Sequence, residues 1–308
     1  MKSIKEIADL KGKKVFVRVD WNVPIVGGAV RDDLRIERSM ETLKFLKEAG
    51  AYVSIATHLE PENLSTDLLK SFVPDGIEIL PNLRDNPGEK GNSEEFAKEL
   101  ASGKDLFVNE AFSVSHREHA SIVKLPKILP SFAGISFINE VENLSKAFRP
   151  KHPFLFILGG AKFETKLPLV KKFQEIADDI FIAGANAKPA DEMGFGKLPK
   201  ITLPIGDISA FDADEANLNI LKEKIDKSEF VVWNGPLGKY EDGYTKGTLA
   251  LAQMLAHSGK EVIVGGADTL AAIKELGVFD KFTFVSGGGG AMLDFLANGT
   301  LPGIEALG

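Results

Sequence analysis

Ten short runs of apolar, β-favouring residues recur along this chain, and most are followed by a helical stretch. That alternation constrains the fold more than any other feature. The runs are 14–19 (KVFVRV), 51–56, 76–80, 105–109, 154–158 (FLFIL), 180–183, 200–203, 230–233, 261–264 and 282–285. Several are apolar on both faces, the mark of central strands in a parallel sheet covered by helices on each side. Between them, 33–49 puts Ile36, Met40, Leu43 and Leu46 near one helical face, and 244–257 does the same with Leu251, Met254 and Leu255. Repeated βα units joined by right-handed crossovers predict a doubly wound α/β architecture.

Ten strands are many for one open sheet, and a chain of 308 residues is near the size at which a single core divides. The reading is therefore α/β, with two doubly wound parallel-sheet (Rossmann-like) domains joined by a helix. The expected divisions are 1–137 and 151–296. The stretch 138–150 between them reads as an amphipathic helix that ends at the Pro150-Lys151-His152-Pro153 breaker.

The chain has no cysteine, which excludes thiol nucleophiles, disulfides and Cys-type zinc sites. The formal charge is −7, so broad nucleic-acid or anionic-membrane binding is not expected, and an anionic ligand must meet a local cluster of basic groups. No apolar stretch is long enough for a signal peptide or a membrane span, and the expected location is the cytoplasm.

Open α/β sheets bind ligands beyond the carboxyl ends of their strands, so the residues just after each run are the candidates. In the first half these are Asp20 and Asn22, His58, Arg84 and the loop 110–119 with Arg117, while Arg35 opens the helix after the first strand. Guanidinium, imidazole and amide groups in this company suit an anion bearing carboxylate and phosphate. A lone arginine at such a place is most simply a surface charge; recurrence at successive strand ends is what carries the reading.

The second half offers glycine turns after its strands: Gly159-Gly160, Gly184, Asn234-Gly235-Pro236, Gly265-Gly266-Ala267-Asp268-Thr269 and 287–290, with Lys162, Lys166 and Glu241 nearby. Glycine at a strand-to-helix turn lets backbone N–H groups approach a phosphate. Neither G-x-G-x-x-G after a strand nor G-x-x-x-x-G-K-[ST] occurs, so a dinucleotide site and a P-loop are both unsupported.

The motifs VRVDWNVP, DDLRI, THL, VNEAF, SHREHAS, ILGGAKFETK, VVWNGPLG, VGGADT and SGGGGAML, in this order, resemble those of the phosphoglycerate kinases. The resemblance implies reversible phosphoryl transfer from 1,3-bisphosphoglycerate to Mg-ADP, giving 3-phosphoglycerate and ATP, by a monomer that closes about a hinge. It further implies that the tail, 297–308, packs back on the N-terminal domain. By the same resemblance Asp20, Asn22, Arg35, His58, Arg84 and Arg117 would hold the phosphoglycerate. Gly159, Gly160, Lys166, Gly184, Asn234, Pro236, Glu241, Gly266, Ala267, Asp268 and Thr269 would hold ATP or ADP, with Asp268 the Mg2+ ligand. Arg35, Lys162 and the N–H groups of Gly289 and Gly290 would stabilise the phosphoryl group in transfer, where charge rests on its equatorial oxygens.

The chain departs from the family's usual pattern in three places. Glu60-Pro61 stands where Gly-Arg-Pro usually follows His-Leu, His152 replaces an arginine, and Gly287 replaces a threonine before the last glycines. It is also shorter than usual, with the contraction falling between His58 and Asn82 and between Gly184 and Phe230. Two readings follow: a streamlined kinase whose anion site leans on Arg84 and a protonated His58, or a nucleotide-binding relative that serves as a binding module.

Overall fold

The computed structural model describes residues 1–308, and each of the ten apolar runs forms a strand. In chain order the strands are β1 (Lys14–Val19), β2 (Ile25–Val26), β3 (Ala29–Val30), β4 (Tyr52–Ala56), β5 (Glu78–Ile79), β6 (Leu106–Glu110) and β7 (Ser131–Ala133). They continue with β8 (Phe154–Leu158), β9 (Asp179–Ile182), β10 (Ile201–Thr202), β11 (Phe230–Asn234), β12 (Glu261–Gly265) and β13 (Phe284–Ser286). Three were not expected. β2 and β3 are two-residue arms of an antiparallel hairpin whose turn, Gly27-Gly28, has both φ angles positive (61° and 78°). β7 has three residues between Pro130 and Gly134, too few to show a period.

Two compact units result, Met1–Glu142 with Thr300–Gly308, and Asn143–Gly299. The first holds a five-stranded parallel sheet in the order β5-β4-β1-β6-β7, the second a six-stranded parallel sheet in the order β10-β9-β8-β11-β12-β13. Each sheet begins at an inner strand, winds outward to one edge, then returns to the other side of its starting strand. The reversal lies between β1 and β6 in the first unit and between β8 and β11 in the second, where a doubly wound sheet opens its crevice.

Both faces of these sheets are covered. β8 is buried at all five residues: Leu155 and Ile157 join a cluster with Val231, Trp233 and Leu251, while Phe154 and Phe156 meet Phe173 on the other face. Phe173 stacks on Phe156 at 4.8 Å and meets Phe154 edge-on at 5.8 Å. In the first unit Val15, Val17 and Val19 pack with Ile36, Leu43 and Leu46 of the helix Leu34–Glu48, leaving Phe16 to pair with Phe107 at 6.0 Å.

The helix expected over 138–150 runs instead over Ile135–Ser145, followed by a 3₁₀ turn at Lys146–Phe148. Its start is fixed from a distance. The Glu110 carboxyl, at the end of β6, accepts the Ser136 N–H at 3.0 Å, and the Thr42 hydroxyl oxygen accepts the Ile135 N–H at 2.8 Å. Burial pushes the Glu110 carboxyl up to about 8. A Cβ at Gly134 would lie 1.6 Å from a Glu110 oxygen, so glycine is required there. The charged stretch 92–100 falls in the helix Glu94–Ala101, which buries Phe96, Ala97 and Ala101. No helix is long and apolar enough to cross a membrane.

Phe173→Ala leaves a cavity between two strand phenylalanines of the second unit. We expect a loss of about 3–5 kcal/mol in denaturant unfolding of that unit; a loss under about 1 kcal/mol would mean that the aromatic stack is not holding this face.

Candidate functional site

The carboxyl rim of the first sheet gathers residues from Arg18 to Arg117. Asp20 and Asn22 leave β1, His58 follows β4, Arg84 sits in a 3₁₀ turn after β5, and Ser113 and Arg117 lie in the loop after β6. Trp21 anchors the first of these loops: its indole N–H donates to the Ser39 hydroxyl at 2.8 Å and its backbone N–H to the Thr57 hydroxyl at 2.9 Å. Arg35 donates to the Asp20 carboxylate at 2.9 Å and to the Asn22 carbonyl at 3.1 Å, while the Ser113 hydroxyl donates to the same Asp20 oxygen. Burial works to raise the Asp20 carboxyl, but Arg35 above all, with the Ser113 hydrogen bond and Arg18, outweighs it and holds the group below the ordinary carboxylate range. Asp20 is therefore an anion that orients Arg35.

Arg18 belongs to this cluster although sequence reasoning passed over it. Its side chain is buried, with Nε donating to the Ser121 hydroxyl at 3.0 Å and a second nitrogen 3.2 Å from His58 Nδ1. Because Arg18 only donates, His58 Nδ1 accepts, which fixes the imidazole as its neutral Nε2–H tautomer. The one signal in the sequence was a charged residue set between valines in a strand whose other buried residues are all apolar.

This geometry overturns the expectation of a protonated His58. Burial first, then Arg18, pushes the imidazole far below its usual range, and Arg84 and Arg117 add to the effect. His119 behaves alike, lowered to about 4 by burial and by Arg18, Arg84 and Arg117. Arg84 is itself buried and paired with the Glu60 carboxylate, although its Nε has no acceptor. Arg117 is half-buried and its guanidinium makes no ion pair or hydrogen bond.

The second unit is built differently. Its reversal point brings β8 and β11 ends so close that a Cβ at Gly159 would lie 2.2 Å from the Pro236 carbonyl oxygen. Gly235, at φ 90°, would collide with the Gly159 backbone at 2.6 Å. Gly159 N–H donates to the Asn234 carbonyl at 2.8 Å, Gly160 N–H to the Pro236 carbonyl at 2.8 Å, and Gly235 N–H to the Thr269 hydroxyl at 3.1 Å. These three N–H groups are thus engaged within the protein and do not form a phosphate cradle, as the glycine turns had suggested. What glycine supplies here is close backbone approach.

That approach aims other groups. The Gly159 carbonyl accepts Lys166 Nζ at 2.9 Å and Asn186 Nδ2 at 2.6 Å. Lys166 is buried with no carboxylate partner, and burial alone lowers its ammonium to about 8. Asn186 Oδ1 is buried without a hydrogen bond, a further unfilled group that the sequence reading left unassigned. Lys162 sits in the left-handed region at φ 63° with its side chain exposed, its carbonyl pinned by the Thr165 N–H and hydroxyl.

Gly184, at φ 61°, borders a small cleft of about 60 Å³ that Phe181, Pro204, Ile208 and Leu237 also line. Gly266 caps the helix Ala267–Glu275, whose first turn carries Asp268 and Thr269. Burial and then Glu241 raise the Asp268 carboxyl, which places a second acidic group in its field. Gly289 caps the helix Gly290–Asn298. No cluster of three or more His, Asp or Glu side chains forms a ready-made metal cage.

The sequence profile described as "Phosphoglycerate kinase" matches residues 4–72, 61–190 and 190–299. A phosphoglycerate kinase of Dictyoglomus turgidum is 33% identical over an alignment of 381 positions, covering 97% of this chain and 96% of the relative. That of Finegoldia magna is 34% identical over 390 positions, covering 99% and 98%. Both alignments exceed the 308 residues of this chain, so gaps in it account for the difference. Among solved structures, phosphoglycerate kinase from Coxiella burnetii superposes with a TM-score of 0.85 at 28% identity, covering 99% of this chain and 98% of that one. The enzyme from Pyrococcus horikoshii gives 0.85 at 26% identity, covering 100% and 98%.

The neutral imidazole makes a prediction about pH. His58 has a depressed pKa in the fold, so below about 6.5 the unfolded chain binds a proton that the folded chain refuses. The His58 contribution to stability is flat above that value and becomes unfavourable as pH falls below it. In denaturant unfolding, His58→Asn should lose less stability than the parent between pH 6.5 and 5; equal losses would show that His58 is protonated in the fold.

Proposed function

The chain belongs to the phosphoglycerate kinase family, and we infer that its two strand-end sites divide the reaction, the first taking the phosphoglycerate and the second the adenine nucleotide. The activity is reversible phosphoryl transfer from 1,3-bisphosphoglycerate to ADP, giving 3-phosphoglycerate and ATP. One observation supports the division above others: each unit keeps positive charge at its strand ends without a full counter-charge. Lys166 is buried beside a carbonyl alone, and Arg117 has no partner. A buried cation costs free energy unless an anion meets it, and these are the places where a phosphate repays that cost.

In the first unit Arg84 and Arg117, backed by Arg18, would take the phosphate end of the phosphoglycerate. Asp20 holds Arg35 so that its exposed guanidinium faces the carboxyl end, where the acyl phosphate forms and breaks. Asn22 and neutral His58 supply hydrogen bonds without net charge. In the second unit the cleft beside Gly184 would take the base, with Asn234 and Pro236 holding the loop that shapes it. Lys166 would pair with the nucleotide phosphates, Glu241 would reach the ribose, and the helix start at Gly266, Ala267 and Thr269 would face the phosphate chain.

Asp268 fits a magnesium site. Its carboxyl is raised by burial and a neighbouring acid, the condition a divalent cation relieves, and Mg2+ commonly takes one or two carboxylates with phosphate oxygens and water. When bound, the ion supplies charge neutralisation on the nucleotide phosphates. Lys162, exposed and free of ion pairs, would carry charge on the phosphoryl group between donor and acceptor, helped by the N–H groups of Gly289 and Gly290. Phosphoryl transfer needs its reacting oxygens in line and screened from water, so turnover must bring the two sites together. We read the enzyme as a monomer, as the family resemblance implies.

A coupled assay with Mg-ATP and 3-phosphoglycerate tests the assignment: the parent should show saturable turnover, and its absence at high phosphoglycerate would overturn it. Lys162→Ala should lower kcat by about 100-fold or more while the Kd for ADP stays within about three-fold of the parent. Turnover close to the parent value would remove Lys162 from the transfer step.

A further inference from the structure

Arg84 carries its charge where water barely reaches it, with Arg18 and Arg117 close enough to depress its affinity for its own proton. The group in contact with it is the Glu60 carboxylate. The two partners differ sharply in exposure, 3% for the Arg84 side chain against 52% for that of Glu60. The guanidinium cannot regain water by moving, whereas the carboxylate can turn outward into solvent at little desolvation cost.

The placement of Glu60 is built into the loop that bears it. The Asn82 side-chain oxygen accepts both the Leu59 N–H and the Arg84 N–H at 3.1 Å, so one buried amide ties the backbones on either side of the pair. Asn82 Nδ2 donates back to the carbonyls of Leu59 and Leu64, and Asn22 Oδ1 accepts the Glu60 N–H at 3.0 Å. The loop's other carboxylate, Glu62, is drawn off by Lys90. Even so, Glu60 does not satisfy the guanidinium, because Arg84 Nε remains buried without an acceptor.

We propose that Glu60 is an internal counter-anion on Arg84 which the incoming substrate displaces, and that it thereby sets the affinity and the anion selectivity of the first site. The proposal rests on the reading of that site as the phosphoglycerate site. A phosphate monoester carries about −1.5 to −2 charge at pH 7 and three acceptor oxygens, enough to engage the free Nε as well as the nitrogen that Glu60 holds. A lone carboxylate matches Glu60 in charge and gains nothing by replacing it. The site is thus biased to receive its ligand phosphate-end first at Arg84, at the expense of overall affinity.

Glu60→Gln keeps the shape and removes the charge, and the half-exposed position makes the variant compatible with folding. Two measurements decide the matter: steady-state kinetics with Mg-ATP and 3-phosphoglycerate, and equilibrium titration with inorganic phosphate followed by calorimetry. In the variant we expect the KM for 3-phosphoglycerate and the Kd for inorganic phosphate to fall by about ten-fold, with the KM for Mg-ATP unchanged. Formate should bind the variant more tightly than the parent, since its competitor has gone. Phosphate binding that is unchanged or weaker in Glu60→Gln overturns the proposal. Should neither protein turn over 3-phosphoglycerate, the reading of function fails, while the phosphate titration still decides the part played by Glu60.

Discussion

Four guanidinium groups at one end of one sheet is an arrangement that repels itself, and the first unit is organised around containing that repulsion. Arg18 is the centre of it. Burial depresses its pKa, Glu89 and Asp20 oppose the shift, and Arg117 adds to it. Its containment is indirect: Arg18 Nε donates to the Ser121 hydroxyl, which donates to the fully buried Glu89, whose other oxygen accepts the Ser121 N–H at 2.9 Å. Asp20 restrains Arg35 and Glu60 restrains Arg84. Arg117 alone of the four makes no ion pair or hydrogen bond through its guanidinium. The first unit thus holds a ladder of positive charge at graded degrees of compensation, and the neutral His58 is part of it, since a proton there would add a fifth cation.

The second unit solves a different problem by a different means. Its strand ends meet as a backbone construction, in which Gly159, Gly184 and Gly235 permit three strand ends to approach within the space that a single Cβ would fill. Gly159 N–H donates to the Asn234 carbonyl and Gly235 N–H to the Thr269 hydroxyl, and the Gly159 carbonyl so held accepts both Lys166 and Asn186. The second unit thus holds its strand ends by backbone contact, where the first carries side-chain ion pairs.

How much of this was legible in the sequence depended on whether the cause was local. β1 and β8 appear in the structure at the bounds their apolar runs indicated, because a fully buried strand writes its period into consecutive residues. The helix at Ile135 starts three residues earlier than its own sequence suggests, since its capping groups, Glu110 and Thr42, come from elsewhere in the chain. The strand-end rule located Asp20, His58, Arg84 and Arg117 on one rim, yet it missed Arg18, which lies inside a strand. It also named His58 with the wrong charge state, which is decided by burial and by Arg18, Asp20, Arg84 and Arg117. The glycine turns were found for a reason only partly right: glycine was needed, but at Gly159 and Gly235 for backbone contact instead of phosphate contact.

The last nine residues of the chain return to the first unit. Leu301 and Leu307 are buried there, and Gly303 donates its N–H to the Ser115 carbonyl at 2.9 Å, at a distance where a Cβ would strike Ser115. Ser115 belongs to the loop that carries Ser113 and Arg117. During synthesis, then, residues 1–142 leave the ribosome early but lack the segment that braces this loop until residues 300–308 have followed. The second unit, complete at residue 299, can close first, an inversion of the usual order in which N-terminal domains fold ahead of those behind them. The loop that carries Arg117 thus gains this brace only after residues 143–299 have been made, so a chain cut before residue 300 leaves one edge of the arginine cluster unbraced.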